Sequence, residues 1–203
     1  MGAVSMEGKM VSIYCPFCHR YTALSAATRS IPEREQPLPL VWKDIDDRSW
    51  WIGICNCCHN PVLVRETGLE IYPHPLPSPT DERIPEHIRN DLIEAKICFS
   101  VNAFRGCAVL ARRALQSACL DRGASKDKLV NQVEEVASKG IITNDLKEWA
   151  NVVRWVANDA AHPDKQAVTK EDSEDVLKLA EQFLYVIYVA PAIAKERRGK
   201  RGK

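Results

Sequence analysis

The spacing of apolar residues changes once along this chain of 203 residues. In the first third, short runs of β-branched and aromatic residues predict strands at about residues 10–14, 40–43, 50–54 and 62–65. After residue 84 the apolar residues recur every three or four positions, which is the period of an amphipathic helix. We therefore expect a segregated α+β fold, with a small β domain followed by an all-helical domain.

Five helices are predicted from this period and from the residues that begin and end helices. They cover about residues 85–102, 103–122, 126–139, 144–162 and 169–194. Gly123 and Gly140 end the second and third, Pro163 ends the fourth, and Thr169 with Asp172 forms a capping box for the fifth. The short connections between these helices predict a helical bundle.

A proline-rich segment separates the two domains. Every second residue from Pro73 to Pro79 is a proline, and each ring fixes its own φ and restrains the residue before it. We therefore expect an extended, stiff linker. The predicted boundaries are residues 1–71 for the β domain, 72–83 for the linker, 84–194 for the bundle and 195–203 for a basic tail.

The cysteines of the β domain form two Cys-x-x-Cys turns. Each turn offers two thiolates at the separation that a tetrahedral zinc ion requires, so two turns complete a site. The predicted ligands are Cys15, Cys18, Cys55 and Cys58. Cys57 lies inside the second turn and is left out, while His19 and His59 remain possible substitutes. The pattern predicts a zinc ribbon, although iron of the rubredoxin type uses the same ligands.

Four thiolates leave no open coordination position, so this Zn²⁺ is expected to be structural and not catalytic. Binding on the order of 10–16 kcal/mol would hold together a small sheet with little core. Strand alternation also places one of Trp50 and Trp51 on the outer face of the sheet, where it either contacts a partner or covers the sheet itself.

Charge is concentrated at the C-terminal end of the chain. The net charge is +1, yet residues 195–203 hold six basic residues and one acidic residue. Arg197, Arg198, Lys200 and Arg201 are therefore candidate contacts to nucleic-acid phosphates. The alternative is a solvated and frayed terminus.

The apolar run from Phe183 to Ala194 has implications for location and assembly. It is shorter than the roughly 20 residues of a membrane span and contains Pro191, so we expect a buried helix and no membrane association. No apolar signal segment stands at the start, which predicts a cytoplasmic protein. Because the run is apolar on nearly all sides, a second chain is expected to cover part of it in a homodimer.

The fourth predicted helix carries three polar residues on one stripe. Arg154, Asn158 and His162 are successive i, i+4 neighbours on the side away from the apolar face. They are candidate catalytic residues. The alternative is a solvated helix face, with His162 near the C-terminal end of the helix where the dipole favours a cation.

Residues 84–194 resemble an uncharacterised bacterial helical domain family that is related in fold to the HEPN domains. The similarity lies in residues 108–115, 139–142, 154–162 and 169–172. The resemblance implies a homodimer, and it implies activity on RNA, because many HEPN proteins are metal-independent ribonucleases of prokaryotic defence or toxin systems. A zinc ribbon before such a domain is also familiar.

Under this resemblance an RNA 2′-hydroxyl attacks the adjacent phosphate. His162 would assist proton transfer, Arg154 would steady the developing charge, and Asn158 would orient one of them. Arg112 and Arg113 would add phosphate contacts. Seven residues separate Arg154 from His162, whereas four to six separate them in the HEPN motif.

Two further functions therefore stay open. The first is a non-catalytic recognition or scaffold module that docks on a protein, such as a defence-system partner, or on nucleic acid. The second is a transcription-factor-like DNA binder, which is disfavoured by the lack of an evident basic recognition helix.

Overall fold

The computed structural model of this protein describes residues 11–30, 37–65, 70–125, 128–151 and 167–201. The chain divides into two compact units, Met1–Pro79 and Thr80–Lys203. The first is rich in β-structure and contains the cysteine cluster, and the second is helical. The predicted α+β layout, with strands first and helices after them, is confirmed at this level.

The strands of the first unit form one six-stranded antiparallel sheet and one small two-stranded sheet. They are β1 Ser12–Tyr14, β2 Tyr21–Ala26, β3 Thr28–Arg29, β4 Leu38–Pro39, β5 Val41–Lys43, β6 Ser49–Cys55, β7 Pro61–Arg65 and β8 Glu70–Tyr72. The large sheet has the order β1-β2-β6-β7-β8, and β5 pairs with the first half of β6. Strands β3 and β4 pair with each other.

Strand β6 is the centre of the large sheet because it pairs with β2, β5 and β7. Its residues alternate between two faces: Trp51, Gly53 and Cys55 are buried, and the residues between them are partly exposed. The buried face packs into a core that also contains Ile13, Leu24, Val62, Val64 and Ile71. Trp51 is thus the inner member of the adjacent tryptophan pair.

Trp50 lies on the outer face, and its ring is held from two sides. The indole Nε1 donates to Asp44 Oδ2 at 2.8 Å, and the ring centroid is 5.8 Å from that of Tyr72. Asp44 also accepts from Arg48 Nε at 2.8 Å, so its carboxylate organises the turn between β5 and β6. The hydrogen bonds from Trp50, Arg48 and Asp46 outweigh desolvation and lower the pKa of Asp44 to about 2.

The four predicted strands are confirmed, but four further strands were missed. Strand β2 has the sequence Tyr-Thr-Ala-Leu-Ser-Ala, and β3, β4 and β8 have two or three residues each. Small residues and very short runs carry little β-propensity. These segments are strands because neighbouring strands pair with them, which a local pattern does not reveal.

The helices of the second unit follow the predicted order. They are α1 Glu86–Ser100, α2 Phe104–Asp121, α3 Leu129–Ser138, α4 over residues 144–151, α5 Lys170–Leu184 and α6 Ala190–Arg201. A π-helical turn, Tyr185–Val189, joins α5 to α6. Helix α2 packs against α1, α3 and α5, and its buried residues are mostly small, so the helix axes can approach closely.

The predicted helix ends agree closely with the observed ones. Gly123 and Gly140 have φ values of +78° and +68°, the left-handed conformation that ends a helix. Thr169 and Asp172 form the reciprocal capping box at the start of α5. Pro85, predicted as the first residue of this helix, is instead the N-cap of α1, one residue before its first helical residue, Glu86. Cys107 and Cys119 are buried in the core and Cys98 is partly buried, as expected for small hydrophobic residues.

The predicted fifth helix is one continuous helical run with an unpredicted π-turn inside it. Much of its apolar segment is covered within one chain, because Phe183, Leu184, Ile187, Tyr188 and Val189 are all buried. The run Lys170–Arg201 is long and apolar enough to cross a membrane, but half of its apolar window is buried inside the protein. Core helices of soluble proteins meet the same criterion.

Candidate metal centre

Two turns of the first unit have nearly the same backbone geometry. In the first, His19 N donates to Cys15 O at 3.0 Å and Cys15 N donates to Arg20 O at 2.9 Å. In the second, His59 N donates to Cys55 O at 2.9 Å and Cys55 N donates to Asn60 O at 3.1 Å. The histidines have φ values of 54° and 60°. Each Cys-x-x-Cys-His segment is therefore one closed knuckle that presents two thiols.

The strands bring the two knuckles together. The first lies between β1 and β2, the second lies between β6 and β7, and β2 pairs with β6 in a register that sets Leu24 opposite Cys55. The predicted ligand atoms, the Sγ atoms of Cys15, Cys18, Cys55 and Cys58, all lie within 4.8 Å of one another. Residues about 40 positions apart in sequence thus meet in one cluster.

The sulfur separations fit a tetrahedral metal. Cys15 Sγ is 3.8 Å from Cys58 Sγ, and Cys18 Sγ is 3.9 Å from Cys55 Sγ. Zinc–sulfur bonds of about 2.3 Å in a regular tetrahedron place the sulfurs roughly 3.8 Å apart. Four soft sulfur donors at this spacing are compatible with Zn²⁺, and such a set leaves no position for substrate or water.

Backbone N–H groups point at the sulfurs and would stabilise thiolates. Phe17 N is 3.4 Å from Cys15 Sγ, and the amides of Cys57 and Cys58 are each 3.4 Å from Cys55 Sγ. Burial alone raises the pKa of the Cys55 thiol, but these amides and the neighbouring thiols outweigh it and lower the pKa to about 6. Burial raises the pKa values of Cys15 and Cys18. The backbone N–H groups would therefore favour the deprotonated sulfurs that a metal ion requires.

The residues that the sequence left open as ligands stand outside the cluster. Cys57 is exposed, and Arg20 Nη1 lies 3.9 Å from its sulfur. The ring of His19 lies beside Tyr14, with the centroids 6.4 Å apart. His19 and His59 instead close the knuckles through their backbone, a role that their spacing alone did not indicate.

The remaining predicted site residues fall into two groups. Arg154, Asn158 and His162 lie outside the described residues, so their arrangement stays a prediction. The other group is the candidate phosphate contacts. Arg113 is largely exposed and its Nε lies 3.3 Å from Asp91 Oδ2, while Arg112 is partly buried.

Arg197, Arg198, Lys200 and Arg201 are exposed on α6. The segment is thus a regular helix to Arg201 instead of a frayed terminus. Lys195, just before them, is exposed as well. Within the described residues, none of these five cations has a carboxylate within 4.0 Å.

Sequence reasoning missed one contact beside these cations. The guanidinium of Arg83 forms two hydrogen bonds with Glu196, from Nε to Oε1 at 2.9 Å and from Nη2 to Oε2 at 3.2 Å. It also pairs with Asp81 at 2.9 Å. The two partners are 113 residues apart, and no local pattern links them.

Comparison with known proteins identifies a family for the helical unit. No curated protein and no solved structure matches this chain. The family described as a domain of unknown function, DUF4145, matches residues 93–200. This match covers α1 from its middle to nearly the end of α6, which is more than half of the chain. The chain therefore belongs to the DUF4145 family.

Proposed function

We propose that this protein binds RNA through the basic end of α6, as a cytoplasmic homodimer of HEPN-like helical domains that carry structural zinc ribbons. One observation supports the proposal most strongly. The last seven residues of α6 are all exposed and include five cations and a single acid, Glu196, which is paired with Arg83. Such a helix presents concentrated positive charge to solvent.

Polyphosphates are the natural ligands of such a surface. Each phosphate that is neutralised by Lys or Arg releases a condensed counterion, so binding is favourable at low salt and weakens as salt rises. Arg offers paired donors that match phosphate oxygens. The resemblance to HEPN proteins supports RNA over DNA as the polymer.

Cleavage of the bound RNA is the second part of the proposal. Arg154, Asn158 and His162 would supply charge stabilisation and proton transfer at the phosphate next to a 2′-hydroxyl, without a metal ion. This part depends on the family resemblance. The ribbon would contribute a metal-stabilised sheet and no chemistry, because a site of four cysteines is closed.

Binding is tested with fluorescently labelled single-stranded oligouridylate and the full-length protein, by anisotropy over a range of salt concentrations. The site variant is Arg197→Gln/Arg198→Gln/Arg201→Gln. The matched control is Arg105→Gln/Lys128→Gln/Lys170→Gln, which removes the same charge at exposed positions elsewhere in the helical unit. We expect the site variant to lose roughly 100-fold in affinity at about 0.1 M salt, since each lost phosphate contact costs about fivefold. The control should lose far less.

Cleavage is tested on the same RNA after Mg²⁺ is removed with EDTA, with the zinc content of the protein checked afterwards. Cleavage by wild type that disappears in His162→Ala supports the ribonuclease. Binding without cleavage supports the non-catalytic recognition module, which could recruit a defence-system protein. If wild type does not bind RNA at low salt, the proposed function is wrong.

A further inference from the structure

The acid of α6 is paired at the protein surface with an arginine that is distant in sequence. Glu196 is the only acidic residue in Ala190–Arg201, and both of its carboxylate oxygens accept hydrogen bonds from Arg83. The Arg83 side chain is anchored in turn by Asp81, whose two oxygens lie 2.9 and 3.2 Å from Arg83 Nη1. This fork-to-fork geometry fixes the orientation of both partners.

The pair also fixes which face of α6 is turned outward. At about 100° per residue, Arg197, Arg201, Arg198 and Lys195 lie roughly 100°, 140°, 200° and 260° around the helix from Glu196. All four therefore lie on the half of the helix that faces away from Arg83. Lys200, about 40° from Glu196, lies on the near side.

The π-turn before α6 sets this rotation. Ala190 N donates to Tyr185 O, five residues back, so the turn contains one residue more than an α-turn. One residue corresponds to about 100° of rotation for everything that follows. In a regular α-helix without this widened turn, Lys195 would occupy the place of Glu196, and its ammonium group would face the Arg83 guanidinium.

Contacts to the end of α2 hold the π-turn in place. Arg122 Nη2 donates to Ile187 O at 2.9 Å, and its Cζ lies 4.4 Å from the centre of the Tyr188 ring. The Tyr188 hydroxyl donates to Asp121 Oδ2 at 2.7 Å. These residues connect the widened turn to the end of α2. The rotation of α6 about its axis is therefore determined by tertiary contacts.

We propose that Arg83 is a positioning residue for RNA: by pairing with Glu196 it holds that carboxylate on one side of α6, and the opposite side, which carries Lys195, Arg197, Arg198 and Arg201, receives the phosphates. This inference depends on the proposed function, because it concerns the same helix and the same ligand. Arg83 is expected to act through Glu196 and not through direct contact with RNA.

The test uses full-length protein and the labelled oligouridylate, with dissociation constants measured over a range of salt concentrations. In Arg83→Ala the freed Glu196 carboxylate opposes the phosphates. We expect binding roughly fivefold weaker at about 0.1 M salt, with the slope of log Kd against log salt reduced by about one. The melting temperature should hardly change, because exposed ion pairs contribute little to stability.

Two double variants separate the mechanisms. Arg83→Ala/Glu196→Ala should restore wild-type affinity and slope, because no free acid remains on α6. Arg83→Ala/Glu148→Gln has the same net charge, but it neutralises an exposed acid on α4, so it should stay weak. If both double variants recovered RNA affinity equally, the effect of Arg83→Ala would be one of net charge alone. That result would overturn the inference.

Two other results would also overturn it. The first is unchanged binding in Arg83→Ala, and the second is no rescue by Glu196→Ala, which would mean that Arg83 contacts RNA itself. These results differ from failure of the proposed function, in which wild type does not bind RNA or the variant lacking Arg197, Arg198 and Arg201 binds as well as wild type.

Discussion

Each position in one knuckle has a counterpart with the same backbone geometry in the other. The counterpart of Cys57 therefore shows which way its side chain points. The second residue after the first cysteine is Phe17 in one knuckle and Cys57 in the other, and both side chains are exposed. The position therefore points away from the four sulfurs whatever residue occupies it. Its side-chain chemistry is irrelevant to the metal.

We expect zinc content to follow this geometry. Cys57→Ser should retain one zinc per chain, whereas Cys55→Ser should lose it, because three thiolates and a hydroxyl bind zinc far less well. Metal analysis of the purified single variants measures both. Loss of zinc in Cys57→Ser to the same extent as in Cys55→Ser would contradict the assignment.

Gly53 lies where the sheet has no room for a larger side chain. A Cβ atom there would lie 2.8 Å from Leu24 Cδ1 and 3.2 Å from both Trp51 Cζ3 and Val64 Cγ2. Gly53→Ala should therefore destabilise the β unit by about 1–3 kcal/mol through overpacking. Gly199→Ala is the control, since nothing lies within 4 Å of its Cβ position and the change favours helix. Thermal melts of zinc-loaded protein compare the two, and equal melting temperatures would refute the packing argument.

At the scale of elements, one buried ion pair joins α1 to α5. The Lys96 side chain is 1% exposed, and its Nζ lies 2.7 Å from Glu181 Oε1 and 2.9 Å from Thr80 Oγ1. Burial lowers the pKa of Lys96 although Glu181 opposes the shift. Because the pKa of Lys96 is lower in the folded chain than in the unfolded chain, the unfolded chain holds the proton to higher pH. The free energy of unfolding therefore rises with pH between the folded-state pKa and the ordinary value of 10.5.

Removal of either partner should therefore have unequal effects. Glu181→Ala removes the carboxylate that pairs with the buried Lys96 ammonium, so it should lower the free energy of unfolding by about 2 kcal/mol or more. Lys96→Met removes the buried charge itself and should change the free energy of unfolding by less than about 1 kcal/mol. Lys178→Met, which breaks an exposed pair with Glu174 on the same helix, is the control and should cost under about 0.5 kcal/mol. Urea unfolding at neutral pH measures all three, and a larger loss in Lys96→Met than in Glu181→Ala would contradict this account.

Elements were predictable where a local signal determines them. The capping residues of α5 and the glycines after α2 and α3 determine helix ends through their own backbone geometry. The π-turn is different, because its geometry depends on Arg122 and Asp121 from another helix. Strand β2 likewise depends on pairing with β1 and β6.

At the scale of the whole molecule, the predicted homodimer concerns the apolar side chains that one chain leaves exposed. Five of the twelve residues from Phe183 to Ala194 are buried within one chain, so this run offers a partner less apolar surface than the sequence alone indicates. The large apolar side chains that remain exposed in the helical unit include Tyr185 within this run and, outside it, Ile97, Val101, Val109 and Leu120. A second chain that covered some of these side chains would remove their apolar area from water.

Light scattering on the full-length protein should therefore give twice the chain mass at micromolar concentration. Leu120→Glu and Tyr185→Glu should each shift the protein toward the monomer, while Ile45→Glu, at a fully exposed position in the β unit, should not. A monodisperse monomer in wild type would refute the dimer.

The parts of the candidate site that short sequence motifs encode were predictable, and the parts that depend on residues distant in sequence were not. The Cys-x-x-Cys spacing named four ligands because each turn makes half of the site by itself. The pair of Arg83 and Glu196 could not be predicted, because a single exposed arginine and a single exposed glutamate have no periodicity that relates them. Folding brings them together, and the pair occupies the single acidic side chain of the basic tail.

The pairing of β2 with β6 has a further consequence for how the β unit folds to a single structure. A slip of this pairing by one residue would turn every side chain of β6 to the opposite face, and Cys55 would leave the side that holds the other three sulfurs. Only the correct register brings the four sulfurs together, so a bound Zn²⁺ would stabilise this alignment alone. Sheets with slipped strands would remain metal-free and could rearrange.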